Sequence, residues 1–100
     1  MQILALSRRM PGVRDADLAP LAEAEAAAAF ARYAAGTFRS MHVLPDRPGA
    51  MVVLECASLE EARAVMAELP MVKAGLIDFD YSRMLPYTAV KALFKAEHGA

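Results

Sequence analysis

Four carboxylates, an arginine and a histidine stand where this 100-residue chain could move a proton or hold an anion. Glu25 lies in the run LAEAEAAAAFARYAA. Projected at about 100° per residue, Leu18, Leu21, Ala22, Ala26, Ala29 and Tyr33 gather within an arc of roughly 140°, with Glu25 near its middle and Glu23 pointing away. A carboxylate centred on an apolar stripe is costly to bury without a partner, and so could serve as a base. The alternative is that so alanine-rich a helix has no sharp face and leaves Glu25 in water. Arg39 could hold an anion through two parallel hydrogen bonds. His42 could shuttle a proton, or be a structural strand histidine. Glu55 interrupts an apolar strand and is a second candidate base, or half of an ion pair with an arginine of a neighbouring strand. Asp78 and Asp80 share a strand face, as an acid/base pair would, but such pairs on an end strand are usually solvated or salt-bridged. Tyr33, Phe79 and Tyr81 could line a pocket for a flat ligand or pack in the core.

Several function classes fall away. The net charge is −1 with no basic block, so nucleic acid is not an expected partner. Cys56 is alone, which excludes a disulfide framework and a cysteine-based metal site. His42 and His98 are too far apart for a local metal-ligand pair, and the glycines form no phosphate-binding loop. No span is long and apolar enough for a membrane, and no basic start precedes an apolar run; a reducing cytoplasm is the expected setting. Neither cofactor nor metal is expected.

The elements that must position these residues alternate regularly. Ile3 to Met10 reads as a strand closed by Pro11-Gly12. A helix capped by Asp15 or Asp17, with Pro20 in its first turn, runs to Gly36. Thr37 to Leu44 reads as a strand with Phe38, Ser40 and His42 on one face and Thr37, Arg39 and Met41 on the other. Pro45 to Gly49 is a turn, and Ala50 to Ala57 an apolar strand. Ser58 and Glu61 open a helix that ends at Leu69-Pro70, a short crossing follows, and Leu76 to Arg83 is the last strand. Pro86 begins an amphipathic tail.

The order β-α-β-β-α-β predicts an α+β, ferredoxin-like domain over residues 1–87 with a four-stranded antiparallel sheet. Residues 88–100 form a helical tail that packs on a neighbour or over the pocket. Apolar residues make up 57% of the chain, against about 45–50% for soluble domains, and they occupy both faces of the strands. One face meets the helices. A second copy covering the other is expected, as a homodimer closed into an α/β barrel or a higher homo-oligomer.

With its elements placed, the chain resembles the muconolactone isomerase family of the dimeric α/β-barrel superfamily over roughly residues 18–87. The match consists of Glu25 eleven residues before Gly36, Gly36-Thr37-Phe38-Arg39, Ser58 and Glu60, Leu69-Pro70, Ile77-Asp78-Phe79-Asp80, and Pro86. The family pattern has tryptophan at Phe38, histidine at Leu85, and a first-strand lysine whose nearest counterparts here are Arg8 and Arg9. The resemblance implies a small oligomeric enzyme that moves a double bond within an unsaturated lactone, without cofactor. Glu25 would then be the base and Arg39 the anion-holding group, with Phe38, His42, Glu55 and Tyr33 about the substrate. Two other readings of the same barrel are a non-catalytic ligand-binding or assembly module and a cofactor-independent oxygenase.

Overall fold

The period-two pattern of the first strand sets the frame. In the computed structural model, which describes residues 1–94, β1 (Gln2–Arg9) buries Ile3, Ala5 and Ser7 and turns Leu4, Leu6 and Arg8 the other way. It pairs antiparallel with β3 (Ala50–Glu55) on one side and with β4 (Ile77–Met84) on the other. β2 (Phe38–Val43) adds to β3, giving the order β2-β3-β1-β4. With its helices in the β-α-β-β-α-β order, this is the ferredoxin-like α+β fold.

The first helix is not continuous. α1 (Asp15–Leu18) gives way to a 3-10 turn, Ala19–Leu21, before α2 (Ala22–Ala34). Pro20 lies within that turn and has no N–H to donate, so the α-helical ladder restarts after it. The Asp17 carboxylate accepts the Arg14 backbone N–H at 2.8 Å, which, with the Arg14 guanidinium, holds it below its ordinary pKa. Gly36, at φ 85°, lets the chain leave α2, and the Gly36 and Thr37 N–H groups close on the Tyr33 and Arg32 carbonyls.

α3 (Leu59–Ala67) starts where Ser58 Oγ accepts the Glu61 N–H. Glu61 in turn accepts the N–H of Ala57, one residue before the cap. The crossing after Leu69 is itself one helical turn, α4 (Pro70–Lys73), with proline at its first position, where no N–H is needed. Ala62, Met66 and Leu69 pack on Ile3, Ala5, Phe38, Val52, Leu54 and Phe79 to form the core.

β2 carries a bulge that overturns its expected faces. Phe38 is opposite Leu54 but Ser40 is opposite Val53, so Arg39 is the extra residue. Past the bulge the parity flips: Met41 pairs with Val52 on the helix side, while Ser40 and His42 share the other face with Val53 and Met51. Phe38, fully buried under the helices, therefore does not share a face with Ser40 and His42.

No helix among the described residues covers that other face. It exposes a partly buried apolar strip of Leu4, Leu6, Met51 and Val53. Beside it Arg8 bridges Asp80 at 3.1 Å and Asp78 at 3.5 Å, so the two aspartates are salt-bridged partners, not an acid/base pair. Beyond Met84 a 3-10 turn, Thr88–Lys91, leaves Leu85, Tyr87, Leu93 and Phe94 exposed, Tyr87 at 82%. The rest of the expected tail, with His98, lies outside the described residues. No helix among the described residues is long and apolar enough to cross a membrane.

Candidate functional site

The restart of the helix at Ala22 and the flip of parity in β2 together open a space between sheet and helices. A cavity of about 270 Å³ lies there. Its walls are apolar: Phe38, Met41, Val52, Ile77 and Phe79 from the sheet, Leu18, Ala29, Leu69 and Met71 from the helical side. Three polar side chains reach it, Glu25, Arg9 and Ser7.

Glu25 comes from α2, whose half-buried side is Glu25, Ala28, Ala29 and Arg32; of the expected stripe, Ala22, Ala26 and Tyr33 are exposed. The carboxylate is half-buried, and its Oε1 accepts the Met71 N–H at 2.9 Å. Met71 is the second residue of α4, where backbone donors have no partner within the helix. One carboxylate oxygen is thus fixed by a backbone N–H and the other remains for the cavity. Arg9 is the last residue of β1 on the buried face, two beyond Ser7, and pairs at the rim with the exposed Asp15 of α1. That pair ties the start of the first helical segment, and so Leu18, to the mouth.

The remaining candidates lie elsewhere. Arg39, on the bulge, is exposed and does not line the cavity, so it does not face Glu25 there. Glu55 is at the opposite end of the sheet, 3.3 Å from the Met1 amine, which takes the place of the arginine expected from a neighbouring strand. Tyr33 projects from α2 about half exposed. His42 borders a shallower groove outside the edge strand, which shares Glu25, Met41, Ala50 and Met71 with the cavity. Phe38 forms part of the cavity wall.

Comparison with solved structures finds the same fold at low sequence similarity. The 5-chloro-2-hydroxyhydroquinone dehydrochlorinase TftG from Burkholderia phenoliruptrix AC1100, solved with 2,5-dihydroxybenzoquinone, superposes with a TM-score of 0.70. It is 19% identical, and the match covers 85% of this chain and 94% of that one. The fold is shared. No family model and no curated protein matches the chain.

Arg9 and Ser7 are the site residues that motif reasoning passes over. Their signal is strand parity: Ile3, Ala5, Ser7 and Arg9 are the odd residues of β1, and a polar pair ending an otherwise apolar face marks where that face meets a cavity. On the far side of β4, Arg63 stacks over the Tyr81 ring at 5.2 Å. Burial, then the charge of Asp78, raise the Tyr81 phenol above its ordinary pKa, with Arg63 opposing. Tyr81 therefore stays a neutral packing group outside the cavity.

Proposed function

We propose that this chain is a cofactor-free small-molecule enzyme that shifts a proton, and with it a double bond, in an unsaturated lactone or related carboxylated substrate. Glu25 is the base and Arg9 the anion-holding group. The observation that carries this reading is the meeting of one carboxylate and one guanidinium in a single apolar cavity. The free oxygen of Glu25 takes the proton from a carbon next to the carbonyl. The C–H electrons move into the carbonyl as an enolate, and the resulting carboxylic acid returns the proton to a carbon further along the conjugated system. Atoms balance without an oxidant, and the product is an isomer of the substrate. Arg9 holds the substrate carboxylate, with Asp15 pairing it at the rim.

The dehydrochlorinase of the same fold, solved with 2,5-dihydroxybenzoquinone, is a small-molecule enzyme and supports a small unsaturated ring as the kind of ligand. Arg39, the anion holder that the family resemblance implies, is the competing candidate for that role. A panel of unsaturated lactones, followed by ultraviolet absorbance and by deuterium uptake in D₂O, tests the reading. Glu25→Gln should abolish turnover. Arg9→Gln should raise KM about tenfold or more, the worth of a hydrogen bond to a charged group, while Arg39→Gln stays within about twofold. Turnover indifferent to Glu25→Gln would refute the reading and leave a ligand-binding module; the reverse order of the arginine variants would restore Arg39.

We also propose that a second copy covers the strip of Leu4, Leu6, Met51 and Val53, as in a dimeric barrel. Support comes from the apolar content of a sheet face that no helix among the described residues protects. The exposed apolar residues of the tail belong to the same assembly: the tail leaves β4 at Met84, opposite Gln2, whereas the cavity lies at the Arg9–Ile77 end of that pair.

A further inference from the structure

The floor of the cavity carries a polar group that the base and the anion holder leave unused. Ser7 is only 6% exposed, on the helix-facing side of β1 between Ala5 and Arg9. Its Oγ accepts the Ala50 N–H at 2.7 Å, and its carbonyl accepts from the Arg47 guanidinium at 3.3 Å. A hydroxyl also has one proton to give, and among the described residues no acceptor receives it. The surroundings are shaped to this side chain. A Cβ at Gly49 would stand 3.0 Å from Ser7 Oγ and 3.2 Å from its carbonyl oxygen, and Gly49 holds φ at 139°, where side chains are strained. The hydroxyl proton is therefore available to a ligand in the cavity.

We propose that Ser7 is a substrate-binding residue whose hydroxyl donates to a ring carbonyl oxygen, and to the enolate that forms there. This rests on the reading of Arg9 as the carboxylate holder. Ser7 and Arg9 are two residues apart on one strand face, about 6.5–7 Å. Strand alternation thus sets the hydroxyl and the base of the Arg9 side chain on one wall of the cavity, where one small ligand can meet both. The ligand class is a cyclic monocarboxylate with a ring carbonyl, and Glu25 approaches the ring from the helical wall.

Two probes separate the contacts, cyclohexanecarboxylate and 3-oxocyclohexanecarboxylate, titrated by NMR against the full chain. The wild-type protein should bind the keto acid about three- to tenfold more tightly, the worth of one neutral hydrogen bond. Ser7→Ala, and Ser7→Cys with its weak donor and similar volume, should remove that preference and leave the affinity for cyclohexanecarboxylate unchanged. Arg9→Gln should weaken both acids by the same factor. In the unmodified protein the ¹³C-labelled ring carbonyl should move downfield on binding, so the proposal does not depend on the variants folding. A preference that survives in either folded Ser7 variant, no preference in the wild type, or a carbonyl that does not shift would each overturn the role of Ser7. If Arg9→Gln spares both acids while the Ser7 effect persists, the Arg9 reading fails alone; if neither acid binds, both fail.

Discussion

The hydrogen bond between Glu25 and Met71 gives the base a second task, which substitution can separate from the first. Glu25→Ala removes the acceptor of a backbone donor in the first turn of α4. A bond from an N–H to a carboxylate is worth about 1.5–3 kcal/mol. Both residues are half-buried, so solvent reduces this to about 1–1.5 kcal/mol. For a chain of 100 residues each kcal/mol moves Tm by about 4–8 °C, so Glu25→Ala should lower it by roughly 5–10 °C. Glu25→Gln keeps an acceptor oxygen but not the charge. A neutral bond has about half the strength, so the loss should be about 3 °C. Thermal unfolding by circular dichroism measures both, and amide exchange at Met71 should quicken in the alanine variant but little in the glutamine one. Turnover should vanish in both. An unchanged Tm in Glu25→Ala, or a larger loss in Glu25→Gln than in Glu25→Ala, would refute the anchoring of Glu25 by α4.

Three further outcomes can be checked. Gly49→Ala should lower stability by about 1–3 kcal/mol in urea titrations, because it adds strain at φ 139° and pushes on Ser7; a neutral result would remove the claim that this corner is built around Ser7. Burial, reinforced by Glu61 and then Glu55, raises the Cys56 thiol above 9.0, so the stability tied to its neutral form is intact below that pH and is lost as pH rises beyond it. The wild-type chain should therefore lose more stability than Cys56→Ala between about pH 9 and 10.5, and an identical slope would contradict it. Leu6→Glu, on the uncovered sheet face, should turn an oligomer into a folded monomer by light scattering, whereas a wild-type chain that is already monomeric at micromolar concentration would dispose of the second copy.

The fold was legible because each level of the sequence points the same way. Alternation in Ile77 to Tyr81 marks a strand with one buried side, and in the fold Phe79 is buried while Asp80 is exposed. Gly36 and Ser58 end and begin helices by local chemistry that needs no tertiary partner. Where that local chemistry misled, proline was involved. Pro20 fits the first turn of a single long helix, but here it sits in a separate turn between two helices. Pro70 reads as a stop and also starts α4. A helix of four residues leaves no hydrophobic period to detect. Its main effect, supplying the N–H that fixes Glu25, comes from 46 residues away in sequence.

The site was half legible, and one inserted residue accounts for the missing half. Without a bulge, Arg39 and Met41 would share a side, and an arginine two residues before a cavity-lining methionine would itself reach the cavity. Placing the extra residue at Arg39 breaks that relation: Phe38 and Met41 both face the helices, and Arg39 is set apart from the regular alternation. Nothing in TFRSMHVL announces the insertion, since the mismatch exists only against β3. β1 has no such break, so its parity carries through to its last residue and delivers Arg9 to the buried side. The guanidinium that shares the cavity with Glu25 thus comes from the strand whose register is unbroken. A one-residue deletion at Arg39 should therefore remove the bulge while keeping Ser40 opposite Val53 and Met41 opposite Val52, leaving both Met41 and Arg9 on the helix side; loss of those β2–β3 contacts by NMR would contradict it.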